Sequence, residues 1–228
     1  MNGKKDNVEI KEKLLDIYSL IFERYGDQHW WPADTQFEVI VGAVLTQFIA
    51  WKNVVRAIDN IKENNLLDIH KLYECDLELL KEMIRPAGFF NRKAVILKSV
   101  LTFIVENYEG DLNRMFQTPL DKLRESLLKV KGVGPETCDS ILLYAGNKKI
   151  FVVDAYTVRI FSRLGFLKGD EKYQQVQEFF MKNLPEDVDL YNQYHALIVK
   201  LGSECCSLKR PKCIQCVLQD LCHFEFCD

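Results

Sequence analysis

The chain lacks any uninterrupted apolar run near the roughly 18 residues that a membrane-spanning helix needs. Its N-terminus, MNGKKDNVEIKEKLL, enters a charged amphipathic pattern without the apolar core of a secretory signal. No membrane association is expected, and the cytoplasm, or a nucleus where the host has one, is the expected compartment. Positive charge is not in excess either. Thirty Lys and Arg against 33 Asp and Glu give a net charge of −3, which argues against strong non-specific attraction to nucleic acid but not against a local basic groove. Strand-like alternation is absent beyond Lys149-Ile150-Phe151-Val152-Val153, and no repeat or low-complexity segment occurs. The fold expected is all-α. With 48% hydrophobic and 28% charged residues, the chain of 228 has apolar material for one or two cores. Of eight cysteines, four lie in one spaced cluster, so a disulfide framework is not expected in a reducing compartment.

The stretch from Leu123 to Gly165 carries the most information. It reads as two short helices joined by a tight Gly132-Val133-Gly134 hairpin, a buried apolar strip, and an aspartate that opens a third helix. Leu123, Leu127, Leu128 and Val130 fit an apolar face of the first helix; Ile141, Leu142 and Tyr144 supply one for the second. The two glycines remove Cβ atoms that would hold a backbone or a phosphate at a distance. Pro135 stands at the first helical position, where its missing N–H costs nothing. Backbone N–H groups left unpaired at such a helix start offer a phosphate site.

The hairpin Lys131-Gly132-Val133-Gly134-Pro135, with Val153-Asp154 followed by Ala155-Tyr156-Thr157-Val158-Arg159, resembles the helix-hairpin-helix and Gly/Pro–Asp signature of the endonuclease III superfamily of DNA glycosylases. Alone, a Gly-x-Gly triplet is usually a turn, and an aspartate opening a helix is usually an N-cap. Together at this separation they are specific, and the C-terminus adds a third signal. Cys206, Cys213, Cys216 and Cys222 are spaced C-x6-C-x2-C-x5-C. By softness, four thiolates suit either zinc or a cubane iron–sulfur cluster. The spacing is similar at every ligand to the loop of endonuclease III relatives, so the resemblance implies a [4Fe–4S] cluster on these four. Cys205 and Cys227 fall outside the match, while Cys75 and Cys138 read as small apolar residues in helices. Lys209, Arg210 and Lys212 lie between the first two ligands, in a loop that rests on a DNA phosphate in the family.

Other segments gain a second reading from this resemblance. Residues 8–25 form an amphipathic helix with Leu14, Leu15, Ile17, Tyr18, Ile21 and Phe22 as its apolar set. Next come Trp30 and Trp31 in an aromatic loop closed by Pro32, read either as a hydrophobic lid over a domain junction or as a stacking wall for a flipped-out base. Residues 36–50 are apolar nearly all round and predict a central buried helix. Gln47 at its end is either a cap on nearby backbone or, as in relatives, the wedge that fills the space left by the extruded base. Phe48 stands where relatives usually carry asparagine, and Trp51 offers a further aromatic wall. Residues 53–105 predict helix, turn and helix, broken at Pro86-Ala87-Gly88. Arg85, Arg92 and Lys93 around that turn are either a solvated face or a track along a DNA backbone.

Hydrolysis of an N-glycosidic bond passes through an oxocarbenium-like state, which a fixed carboxylate stabilises. The resemblance gives that role to Asp154, at a helix start where backbone N–H groups favour negative charge. Superfamily members that also cut the strand carry a lysine two residues after the second hairpin glycine. Here that residue is Glu136, which forms no Schiff base, and Lys131 lies before the loop. A monofunctional glycosylase without efficient strand cleavage is expected. The chain is most similar to the 3-methyladenine branch, through WWPADTQFEVIVGAVLTQ, IRPAGFFNRKA and KGVGPETCDSILLYA with VVDAY. Trp30, Trp31, Trp51 and Phe48 would supply aromatic faces for a cationic alkylated purine. Uracil, hypoxanthine or a mismatched base are alternatives, as is a non-catalytic module that grips damaged DNA through the hairpin and cluster. Gln47, Lys131, Gly132, Val133, Gly134, Lys209 and Arg210 are the expected DNA contacts. The architecture expected is two helical lobes: residues 30–148, a helical barrel with the hairpin, and residues 1–29 with 149–228, carrying the cluster loop at 204–223. A monomer acting on double-stranded DNA containing a damaged base, in the nucleoid-associated cytoplasm, completes the expectation.

Overall fold

The structure, a computed structural model, describes residues 2–47 and 49–224, with side chains from Val8 onward. Phe48 and Cys227 lie outside the described residues. Most of the described residues are helical, with no strand among them, as expected. The chain divides into two compact units, one of residues 1–30 with 149–228 and one of residues 31–148.

In the first unit, α1 spans Asn2–Tyr25 and buries Leu14, Ile17 and Ile21, whose spacing puts them on one face. It begins earlier than its apolar periodicity suggests, because the polar residues before Val8 carry no such signal yet tolerate a helix. Gly26, at φ +67°, ends it. The chain returns through Ile150–Val153, all four buried and neither strand nor helix. There follow α10 (Ala155–Arg163), α11 (Tyr173–Asn183) and α12 (Val188–Glu204). Phe151 stacks on Phe180 with centroids 4.3 Å apart, and Tyr194, wholly buried, donates its hydroxyl to the Leu14 carbonyl at 2.7 Å. Those contacts join α1, α11 and α12 around one aromatic core.

The second unit comprises α2 (Gln36–Leu45), α3 (Trp51–Glu63), α4 (Ile69–Glu74), α5 (Leu77–Met83), α6 (Phe90–Tyr108), α7 (Leu112–Gln117), α8 (Leu120–Leu128) and α9 (Pro135–Ser140). A single π-helical turn, Ile141–Ala145, continues α9. The span 53–105 holds more pieces than expected, since Asp68 and Asp76 each cap a new helix with their side chains. As expected, α2 is the buried centre: every residue from Phe37 to Leu45 is buried. It stops at Leu45, short of the expected Ala50. Thr46 Oγ1 turns back onto the Gly42 carbonyl at 2.6 Å, and Lys93 takes the Leu45 carbonyl.

Lys93, 1% exposed, donates from Nζ to the carbonyls of Leu45 at 2.8 Å and Ala87 at 2.7 Å. The reading of Lys93 as surface charge or a DNA contact is thus replaced by a buried pin between two chain turns. Burial lowers its proton affinity from 10.5 to about 8. Between those values the unfolded chain binds the extra proton, so folding stability rises with pH across that window. In urea titrations from pH 7.5 to 10.5 we expect the wild type to gain on the order of 3 kcal/mol relative to Lys93→Met; parallel curves for the two proteins would contradict this.

Candidate functional site

The hairpin of the second unit is built on α8 and α9. Gly132 adopts φ +87°, and a Cβ there would overlap the Ile96 side chain, so this glycine is required twice over. A Cβ on Gly134 would meet nothing within 4 Å, so its small size answers to no neighbour among the described residues. Val133 is buried, Lys131 exposed, and Pro135 opens α9 as expected. Arg124 of α8 holds Asp139 of α9 through two bonds, Nε to Oδ1 at 2.7 Å and Nη2 to Oδ2 at 3.0 Å. Asp139 is fully buried, so this fork fixes how the two hairpin helices meet. Gln47, in the turn after α2, donates from Nε2 to Thr137 Oγ1 at 2.9 Å, so the structure brings it to the hairpin helix. Glu136 is exposed on the first turn of α9.

Trp31 and Trp51 also come together. Their rings meet edge to face with centroids 5.3 Å apart, and Tyr144 of the π turn lies 5.2 Å from Trp31. Gly42 makes room for them: a Cβ there would stand 2.9 Å from Trp31 Nε1. Tyr144 read from sequence only as part of an apolar face. Trp30 belongs to the first unit and lines an open pocket of about 620 Å3 with Tyr18, Phe22, His29 and Leu190.

In the first unit Asp154 is the N-cap of α10. Its Oδ1 accepts from the Thr157 backbone N–H at 2.7 Å and from Thr157 Oγ1 at 2.8 Å, closing a capping box. Oδ2 faces Nε2 of His195, on α12, at 3.8 Å. The side chains are 10% and 8% exposed. Burial lowers the proton affinity of His195, and the charge of Asp154 partly restores it. Sequence reasoning missed His195, which sits in an apolar run with nothing to separate it from a core histidine.

The same helix reaches the cysteine loop. Arg159 donates to the carbonyls of Cys206 at 2.8 Å and Gly202 at 3.1 Å. Arg163 donates to Cys206 Sγ at 3.1 Å, to the Ser207 carbonyl at 2.9 Å and to that of Leu208 at 3.1 Å. Cys206, Cys213, Cys216 and Cys222, with the unpredicted Cys205, line a cavity of about 250 Å3. Among the described residues, no three or more His, Cys, Asp or Glu side chains are grouped closely enough to hold a metal ion. Lys209 and Arg210 are exposed on the loop.

An all-helical fold with a glycine hairpin between helices and a helix-opening aspartate defines a class of DNA base-repair proteins. This chain belongs to the HhH-GPD superfamily of base excision DNA repair proteins, whose pattern it matches over residues 41–186. It is 50% identical over 213 residues, 92% of this chain and 96% of its relative, to a protein of Methanocaldococcus jannaschii named provisionally as a DNA repair glycosylase. An endonuclease III of Sulfolobus acidocaldarius is 30% identical over 82% of each chain. Among solved structures, the H. pylori 3-methyladenine DNA glycosylase bound to 1,N6-ethenoadenine aligns with TM-score 0.73 and 28% identity, over 87% of this chain and 97% of its own. An endonuclease III–DNA complex shares the fold at TM-score 0.79.

The Arg124–Asp139 fork yields a direct test. Arg124→Ala removes both of these charge-assisted bonds from a buried carboxylate, and we expect a loss of about 3–5 kcal/mol in chemical denaturation. Lys129→Ala, whose partner Glu125 is exposed, should change stability by less than about 0.5 kcal/mol.

Proposed function

We propose that this base excision repair DNA glycosylase releases an alkylated purine of the 3-methyladenine type by hydrolysis, without efficient strand cleavage. The observation that carries the proposal is Asp154. One oxygen of its carboxylate is fixed by the capping box and the other is turned toward His195. A carboxylate so held needs no reorganisation to stabilise an oxocarbenium-like sugar, and it can orient the attacking water. A positively charged purine is already a good leaving group, so the protein has little leaving-group acid to supply. What selects such a base is aromatic surface, by stacking and cation–π attraction. Trp31, Trp51 and Tyr144 form one such cluster, and Trp30, with Phe48 beyond the described residues, are the further candidates. The likeness to the 3-methyladenine glycosylase supports this choice of base.

Glu136 stands where strand-cutting relatives hold their lysine, and a carboxylate forms no Schiff base. We assign duplex binding to the hairpin residues Lys131, Gly132, Val133 and Gly134, with Lys209 and Arg210 on phosphate and Gln47 as the wedge. Such contacts fix position rather than sequence, as a search through any DNA requires. Cys206, Cys213, Cys216 and Cys222 would hold a [4Fe–4S] cluster, whose contribution is to hold the basic loop in shape. The protein works as a monomer in the nucleoid-bearing cytoplasm.

The test is a base-release panel on methylated DNA and on duplexes holding uracil, hypoxanthine or a G·T mismatch. We expect 3-methyladenine release, breaks only after hot alkali, and no borohydride-trapped adduct. Asp154→Asn should lose on the order of 10²–10³-fold in rate. Breaks without alkali would overturn the monofunctional reading, and release of another base would reassign the substrate. No release from any duplex would leave a DNA-binding module. Separately, Cys213→Ser should lose iron and acid-labile sulfide together, whereas zinc in the purified wild type would refute the cluster.

A further inference from the structure

We propose that His195 is a positioning residue for Asp154, and that its own protonation makes the field of this carboxylate depend on pH. The inference rests on the reading of Asp154 given above, but its geometry is independent of substrate.

Asp154 Oδ1 is fully engaged by Thr157, at 2.7 Å from the backbone nitrogen and 2.8 Å from Oγ1. The oxygen left to act on a sugar is Oδ2, and His195 Nε2 stands 3.8 Å from it. Both side chains are about nine-tenths buried, so little solvent screens the pair. Two rigid helices hold the two groups in register. A Cβ on Gly202 of α12 would overlap the Tyr156 ring of α10, and Arg159 of α10 bonds the Gly202 carbonyl.

From α10, Asp154 faces His195, while Arg159 and Arg163 are committed to the cysteine loop. From α1, Tyr18 meets the neighbouring Tyr194, whose hydroxyl bonds the Leu14 carbonyl. Among the described residues, the charge of Asp154 acts on the imidazole against the effect of burial. With His195 neutral, Oδ2 presents its full negative field to a developing oxocarbenium. Once His195 takes up a proton, an imidazolium at ion-pair distance cancels much of that field. Base release then falls on the acid side through protonation of His195, and not through a leaving-group acid.

Two measurements on the cluster-loaded protein test this. The chain has four histidines, so the His195 imidazole can be assigned by its loss in His195→Gln and followed by NMR across pH. In the wild type its midpoint should lie below the ordinary histidine value. In Asp154→Asn, where asparagine still caps the helix, it should fall further, by on the order of one pH unit. A midpoint that does not move would overturn the proposal. In pH–rate profiles on methylated DNA, His195→Gln should hold its plateau to lower pH than the wild type. Coincident acid limbs would likewise overturn it. Should His195→Gln not fold, the titration of wild type against Asp154→Asn still decides. An Asp154→Asn protein that keeps its base-release rate would sink the proposed function, whatever the imidazole does.

Discussion

Ile150–Val153 is buried in the first unit as chain that is neither helix nor strand, and no sheet stands among the described residues to pair with it. Buried peptide groups must find partners or cost free energy on the order of 1–3 kcal/mol each. Here the partners are side chains of α11: Gln177 Nε2 donates to the Phe151 carbonyl at 2.6 Å, and the Tyr173 hydroxyl accepts from the Val153 amide at 3.4 Å. That requirement fixes the last residues before Asp154, and hence where α10 begins. The carboxylate at its start is held by the helix it caps, while the strip behind it is held by the core.

From that start, α10 works as a rigid beam. Its first turn carries Asp154, and its later turns carry Arg159 and Arg163, whose guanidinium groups hold carbonyls of the cysteine loop and the sulfur of Cys206. Carboxylate and loop are thus set by one element. The second unit uses the same device in another form. Lys93 satisfies carbonyls at the end of α2 and in the Arg85–Ala87 turn, and so fixes the turn that carries Gln47. In each case a long cationic side chain completes backbone groups that a helix end leaves open.

The residues legible in the sequence were those whose chemistry shows in short-range spacing. Gly132 and Gly134 before Pro135, the helix-opening Asp154, and the spacing of the four cysteines could be read directly. So could α2, whose apolar run survives into a wholly buried helix. Its end could not, because the decisive bond from Lys93 crosses 48 residues of sequence. His195, Arg124 with Asp139, and Arg163 with Cys206 were hidden for the same reason. Each looks ordinary until a distant partner arrives. Trp30 and Trp31 show the converse: adjacent in sequence, they fall in separate units.

Cys138 lies on α9, in the middle of the hairpin motif, with no exposed surface. Burial pushes its thiol up to about 12, far from the thiolate form that reacts with electrophiles. Reagents that methylate DNA attack protein nucleophiles too. A repair protein is most needed when such reagents are present, and this one keeps the sulfur of its hairpin helix buried and in the thiol form, away from the very chemistry whose products it is proposed to remove.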